Sequence, residues 1–480
     1  MESRISILKN TIALSIPNVL NPIISFILVL IISRYLGVEG LGQYSLVLAY
    51  FGIFATLGSL GLADLVVREV ARRPADAHLV LVNAGAFGTI SSLVAVIAMN
   101  AVVALMGYGR EVFLAGFFCS LSLVISTAIT YLEAIFRSLE RSEYVALIYI
   151  AENAVRVVLC VGLLLMGFGI IPLFVAVLVS RVFGFAAMAM CYQRTFGWPA
   201  WRFDREIWRL LARQSATFAS IAVFSTIHLS IDQIMLSKLK TIDSVGIFSA
   251  ADRLLSICKT LPLAFSSALL PFIAKVFSSG TEPLRDLVIK SLNYMLLLVV
   301  PMAVGTFVLA DQFIGLVYGQ KFTAAGPVLR LHILSLIPFS MVFVMAQVLI
   351  ATDNQAVDLR INIVAALINV ILNFIFIPPL AEIGAVLATL LTIMVFNYLQ
   401  NRYISRHLFR ISLLEAGGKA FLASLAMGAV TYLLRDWNLF LNIAVSAAVY
   451  TCLAIMLKAF SPRKILEMAA DFSSASGKRD

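Results

Sequence analysis

Charge is what this chain has least of. Only 13% of its 480 residues are Asp, Glu, Lys or Arg, while 61% are hydrophobic. Soluble domains carry about a quarter charged and about 45–50% apolar residues. A water-soluble fold of this composition could not cover its apolar surface, so an all-α integral membrane protein is expected. Cysteine pairing is also lacking. The five cysteines (Cys119, Cys160, Cys191, Cys258 and Cys452) form no C-x-x-C pair, which argues against a disulfide framework or a zinc site. His78, His228, His332 and His407 are scattered without metal-ligand spacing. No metal and no cofactor are expected. After Met-Glu-Ser-Arg the chain enters an apolar span with no small-residue cleavage site, so a first transmembrane helix rather than a removable signal is expected.

Catalytic signatures are missing as well. The connections expected outside the membrane are short, the longest covering 311–327, and none carries paired carboxylates, a nucleophile elbow or a D-x-D motif. A membrane-embedded glycan polymerase is therefore the weaker alternative, and no enzymatic activity is expected. The formal charge is +10, yet the basic residues cluster between apolar stretches, as the positive-inside bias produces. Nucleic acid is not an expected partner.

What is present in quantity is apolar runs. A hydrocarbon core of about 30 Å needs about 20 residues per helix, and on that measure about fourteen spans fit. They lie near 11–33, 41–63, 79–106, 113–133, 144–166, 170–191 and 216–236, then 245–272, 287–309, 328–350, 357–377, 383–400, 420–434 and 439–457. This divides the chain into a six-helix bundle over 1–193, a linker over 194–213, a second six-helix bundle over 214–400, and two extra spans with a tail over 401–480. The linker holds Trp198, Trp201 and Trp208 among five arginines, which reads as an amphipathic helix at headgroup level. If the N-terminus is cytoplasmic, roughly 25 Lys and Arg fall on that side against about 7 opposite. Both termini are therefore expected in the cytoplasm.

Weak internal repeats are common in transporters, and three ordered matches occur here. The stretch from Ser33-Arg34-Tyr35-Leu36 to Gly42-Gln43-Tyr44-Ser45 pairs with Ser237-Lys238-Leu239-Lys240 to Gly246-Ile247-Phe248-Ser249. Tyr108-Gly109 and Ala115-Gly116 return as Tyr318-Gly319 and Ala325-Gly326, and Val155-Arg156-Val157-Val158-Leu159 aligns with Ile368-Asn369-Val370-Ile371-Leu372. The offset drifts slowly, as small loop insertions require.

These motifs resemble the polysaccharide-transporter branch of the multidrug/oligosaccharidyl-lipid/polysaccharide exporter superfamily, which includes O-antigen flippases. Asp232-Gln233-Ile234-Met235-Leu236, Leu269-Leu270-Pro271-Phe272 and Asn369 to Pro378 carry the same resemblance. It implies two pseudo-symmetric six-helix bundles with alternating access. It also implies transfer of polyprenyl-pyrophosphate-linked oligosaccharide from the inner to the outer leaflet. A multidrug exporter or a lipid II flippase on the same fold are the alternatives; where lipid II flippases carry arginines, the first span has Asn18 and Asn21. Membrane lipids and other polysaccharide-assembly proteins are implied partners in the cell membrane.

A charge at bilayer depth costs about 2.5–3.5 kcal/mol on insertion scales, so each one needs a partner or a wet cavity. Arg156, Arg181, Arg253 and Lys259 are candidate lumen cations for pyrophosphate, since Arg binds phosphate bidentately; snorkelling and mutual neutralisation are the plain alternatives. Glu152 and Arg156 have i,i+4 spacing for an ion pair. Asn362, Asn369 and Asn373 share one helix face, and their repeat partners are Tyr149, Arg156 and Cys160; interhelical glue is the other reading. Asp232 and Asp252 are candidate sites for coupling to H+ or Na+. Pro17 and Pro22 should bend the first span.

Overall fold

The computed structural model describes the backbone of residues 2–198 and 201–459, and their side chains apart from 2–22, 216–225, 227–229 and 413–414. The side chains of Pro17, Asn18, Asn21, Pro22 and His228 thus lie outside the described residues. Among those described there is no strand. The helices run in order as α1 (Glu2–Ser59), α2 (Ala63–Arg72), α3 (Ala77–Leu105), α4 (Arg110–Ser138), α5 (Ser142–Leu165), α6 (Ile170–Phe196) and α7 (Arg205–Leu239). They continue as α8 (Ile242–Phe277), α9 (Thr281–Tyr318), α10 (Ala325–His332), α11 (Leu336–Ala351), α12 (Gln355–His407), α13 (Leu413–Leu433) and α14 (Leu439–Met456).

Ten stretches of described helix are long and apolar enough to cross a membrane. Two of them hold a break. In α1 the break is at Gly37, with φ 70°, a left-handed conformation that glycine adopts without the steric cost of a Cβ. In α12 it is at Ala381, with φ 50°. There the two arms fold back on each other, with Gln400 Nε2 donating to Asp358 Oδ1 at 2.7 Å and the Tyr403 hydroxyl to Asn354 Oδ1 at 2.7 Å. α7 and α13 add helices of 35 and 21 residues. These two helices and the separate arms of the broken rods lie where the remaining spans of the fourteen are expected.

Two sequence expectations change shape. The linker 194–213 is not a separate amphipathic helix. α6 continues to Phe196, and α7 begins at Arg205 because Asp204 Oδ1 accepts from the backbone N–H of Glu206 at 2.8 Å and of Ile207 at 3.3 Å, an N-cap. Of the five arginines, Arg194 thus lies in the last turn of α6, Arg202 lies in the connection, and Arg205, Arg209 and Arg213 fall in the first turns of α7. Trp198 and Trp201 are exposed, whereas Trp208 packs edge-on against Phe87. The segment 311–327, read as a loop, is mostly helical: α9 extends through Tyr318 and a 3-10 turn covers Gln320–Phe322. Arg330 holds Asp311 at 2.5 Å across this turn, and Gly326 leaves room for that carboxylate.

The chain divides into two compact units. The first comprises Met1–Arg253, Val317–Phe322 and Asn362–Ala385; the second comprises Leu254–Leu316, Thr323–Ile361 and Val386–Asp480. These bounds differ from the division at 193 and 214, because α8, α9 and α12 are each shared by both units. The first unit has a core of Leu62, Leu65, Val66, Tyr131, Ile135, Phe136, Val145, Met188 and Tyr192. Gly88 lets Tyr131 lie flat on α3, and the Tyr131 hydroxyl donates to the Ser59 carbonyl at 3.0 Å. Small residues at such crossings let helices approach where apolar burial supplies little drive between them. The second unit packs Leu255, Leu292, Val299, Met345, Val348 and Ile404. A cavity of about 380 Å³ there is lined mostly by apolar side chains of α9, α13 and α14, among them Pro301, Met427 and Ile443, with hydroxyls of Thr306, Thr431 and Ser446 between them.

Candidate functional site

Arg156 and Arg253, two of the four candidate cations, belong to the first unit and act on one buried side chain. Arg156 of α5 and Arg253 of α8 both act electrostatically on Tyr44, in the second arm of α1. The Tyr44 ring is buried and stacks on Phe174 at 5.4 Å. Arg156 donates to Ser25 Oγ at 3.1 Å, and its buried Nε makes no hydrogen bond. Arg253 and Asp252 act on Tyr318 as well. One cation comes from each sequence repeat. The buried phenol thus lies within the field of two guanidinium groups, one of which keeps an unused donor.

A second polar group lies between α7 and α12. Asn373 Nδ2 donates to Asp232 Oδ1 at 2.5 Å and to Asn369 Oδ1 at 3.2 Å. Asn369 and Asn373 are completely buried and Asp232 nearly so. Asn369 Nδ2 and Asn373 Oδ1 have no hydrogen-bond partner, although buried amide groups normally find one. α7 and the first arm of α12 are the repeat partners of the first arm of α1 and of α5. The Arg156–Ser25 contact and the Asn373–Asp232 contact thus tie equivalent helix pairs.

The remaining candidates lie apart. Arg181 of α6 is ion-paired with Glu152 at 2.9 Å, so the expected Glu152–Arg156 pair gives way to one between helices. Gly184, one turn beyond Arg181, leaves the space that the Glu152 carboxyl fills. Lys259 belongs to the second unit, with its ammonium 5.0 Å from the Phe339 ring centroid. Asn362 is half-buried where α12 enters the first unit. Among the described residues, no three His, Cys, Asp or Glu side chains gather as a metal site.

The repeats also clasp each other at one end of the first unit. Arg34 donates to the Val317 carbonyl at 3.3 Å, and its repeat partner Lys238 donates to the Met106 carbonyl. A Cβ on Gly42 would overlap the Ile242 carbonyl oxygen; a Cβ on its partner Gly246 would overlap that of Val38. Ser33 Oγ and Ser237 Oγ each donate to the carbonyl three residues back, both at 2.7 Å. Tyr108 joins the clasp through Tyr50 at 3.0 Å and Ser237 at 2.7 Å, under the Lys238 ammonium 3.6 Å from its ring centroid. Burial pushes the Tyr108 phenol up, against the hydrogen bonds to Ser237 and Tyr50, so it stays neutral and able to donate.

Tyr44, Ser25 and the clasp contacts were not among the sequence candidates. The signal for the clasp was in the first repeat match, which aligns Gly42 with Gly246 and Arg34 with Lys238. Tyr44 sits in the same match, opposite Phe248, but an aromatic residue in an apolar run carries no polar flag.

Comparison with known proteins agrees with this architecture. The model of the family described as polysaccharide biosynthesis protein matches residues 7–277, and the MatE model matches residues 217–375. Two similar curated relatives come from Haloferax volcanii. The probable low-salt glycan biosynthesis flippase Agl15 is 26% identical over 220 residues, which is 44% of this chain and 47% of that protein. The probable flippase AglR is 26% identical over 213 residues, 43% of this chain and 44% of that protein. The chain thus spans about half the length of the curated relatives it matches. Among solved structures, the lipid II flippase MurJ in an inward closed conformation superimposes with a TM-score of 0.78 at 18% identity, covering 94% of this chain and 99% of that one. An inward-facing multidrug resistance MATE family transporter gives 0.67 at 17% identity, covering 83% and 98%. At these identities the likeness establishes the fold.

Proposed function

Because the chain belongs to the polysaccharide biosynthesis protein family, we propose that it is a flippase moving polyprenyl-pyrophosphate-linked oligosaccharide from the inner to the outer leaflet by alternating access. The observation that carries this reading is Arg156 of α5, held by Ser25 Oγ at 3.1 Å with its buried Nε making no hydrogen bond. It lies in the same unit as Arg253 of the other repeat, whose charge reaches the same Tyr44. Bringing two guanidinium groups to membrane depth is costly, and an anionic substrate returns that cost through charge-assisted, bidentate hydrogen bonds. A pyrophosphate offers the required charge and geometry. A cationic drug would be repelled by the same pair, which weighs against multidrug export despite the shared fold. The relatives' names as flippases of glycan biosynthesis support the substrate class.

The driving ion acts at Asp232 in this reading. Its carboxylate and the Asn369 and Asn373 amide oxygens form a buried group of oxygens that can take a proton or Na+; Asp252, beside Arg253, is the secondary candidate. Asn362, Arg181 and Lys259 are assigned no direct contact with substrate. Both termini face the cytoplasm of a cell-membrane protein, with membrane lipids and other polysaccharide-assembly proteins as partners. No chemical step is required of the protein.

The test is translocation of a fluorescent polyprenyl-pyrophosphate sugar in reconstituted vesicles. Arg156→Ala and Arg253→Ala proteins should insert normally and lose at least about 90% of the rate, a tenfold effect equivalent to about 1.4 kcal/mol. Full activity in both variants would remove the cationic site from the mechanism.

A further inference from the structure

α4, α5 and α6 enclose a second charged group that the proposed translocation site does not use. Glu133 of α4 is only 5% exposed, and its Oε1 has no hydrogen-bond partner. Its other oxygen meets Arg137 at 3.5 Å, from a guanidinium that is half exposed. The Tyr149 hydroxyl of α5 donates to the Glu133 carboxyl. Further into α5, Glu152 is 4% exposed and is held by Arg181 of α6 at 2.9 Å. Arg181 is therefore spent on Glu152, and the ion pair left to Glu133 is the longer one to the half-exposed Arg137.

Other elements packed on α4 do not neutralise Glu133. α2 carries Arg68, Glu69 and Arg72, which pair among themselves at 3.3 and 3.8 Å. α3 carries His78, whose Nδ1 lies 2.7 Å from the Tyr192 hydroxyl of α6. α1 meets α4 through the Ser59 carbonyl, which accepts from Tyr131. The groups acting on Glu133 are Tyr149, Arg137, Arg181 and Glu152.

We infer that Glu133 is a proton-binding site, linked through Tyr149 to the Glu152–Arg181 pair. A carboxylate in a low-dielectric interior with one oxygen unbonded is poorly compensated, and a proton removes the uncompensated charge without moving any helix. Arg181 acts on both carboxyls. Any displacement of α6 that brings Arg181 toward Glu133 would expel the proton, and the reverse displacement would readmit it. Proton occupancy is thereby tied to the packing of α6 on α4 and α5. This site is independent of the flippase reading and of Asp232.

The test is a pH titration of the purified full-length protein in lipid nanodiscs, followed by the infrared C=O stretch of protonated carboxylic acids. Wild type should show a component that Glu133→Gln abolishes and Glu133→Asp retains. Arg181→Gln should move its midpoint up by about one pH unit, a tenfold change in proton affinity, because a positive neighbour is lost; Glu152→Gln should move it down. Tyr149→Phe should raise it by removing a donor to the charged form, and it serves if Glu133→Gln does not fold. A Glu133→Gln titration superimposable on wild type, or a midpoint unmoved by Tyr149→Phe, would overturn the assignment.

Discussion

Single residues in this protein are governed by the cost of placing polar atoms in hydrocarbon, and Asn373 illustrates it. Its amide donates to both Asp232 and Asn369 from a position with no exposure. Asn373→Leu removes the donor and leaves the carboxylate buried with a lost bond, at a cost of about 1–3 kcal/mol. The purified variant should melt earlier than wild type, and Asp232→Asn in the same background should recover part of the loss because the uncompensated charge goes with it. An unchanged melting point in Asn373→Leu would mean that water already serves this group. Spacing in the sequence marked Asn369 and Asn373 as one face, and charge within apolar runs marked Asp232, Arg156 and Arg253. Spacing misled at Glu152. An i,i+4 pair is a local rule, whereas the observed partner Arg181 comes from another helix, and the space beside Gly184 that seats the carboxyl is a property of packing.

Between elements, the clasp of the repeats is the feature with the sharpest steric consequence. Gly42 and Gly246 each meet the backbone carbonyl of the opposite repeat, at Ile242 and Val38. Backbone does not rotate out of the way as a side chain does, so Gly42→Val and Gly246→Val must prise the second arm of α1 from α8. Overpacking of this kind costs about 1–3 kcal/mol, and the repeat symmetry requires effects of similar size from the two variants. Both should raise maleimide labelling of a cysteine at the buried Ser237. Arg34→Ala and Lys238→Ala, which remove the reciprocal carbonyl contacts, should raise it less. Labelling that responds to one glycine only would break the symmetry argument. Three short matches made the repeat legible before any coordinates, since a glycine and a cation recur at the same register. That the equivalent residues reach across to each other's repeat was not legible, because alignment reports likeness and not contact. The segment 311–327 reads as a loop in the sequence for a related reason: the closing of Arg330 on Asp311 over the bare backbone of Gly326 is a contact that sequence spacing does not announce.

At the scale of the whole molecule, membrane embedding was legible from composition alone, because no soluble fold can hide 61% hydrophobic residues behind 13% charged ones. The division into units was not. α8 passes from one unit to the other between Arg253 and Leu254, α9 does so between Leu316 and Val317, and α12 does so twice, so no polar linker or change of composition marks these boundaries. Orientation is the property that charge distribution alone decides, through the excess of Lys and Arg on one set of turns. Ser278, exposed in the α8–α9 turn, lies among Lys275, Arg285 and Lys290; Asp436 is exposed in the α13–α14 turn. In a background lacking the five native cysteines, Ser278→Cys should react with an impermeant maleimide only after the membrane is opened, while Asp436→Cys should react in intact cells. The two positions are separated by an odd number of crossings if α9, the α10–α11 stretch, both arms of α12, and α13 each span once. Opposite labelling at these two sites therefore tests the count of spans together with the orientation. Labelling of both from the same side would require one of those helices to lie in the membrane plane, and α13, the shortest of them after the α12 arms are separated, would be the first to examine by moving the cysteine to Ser412.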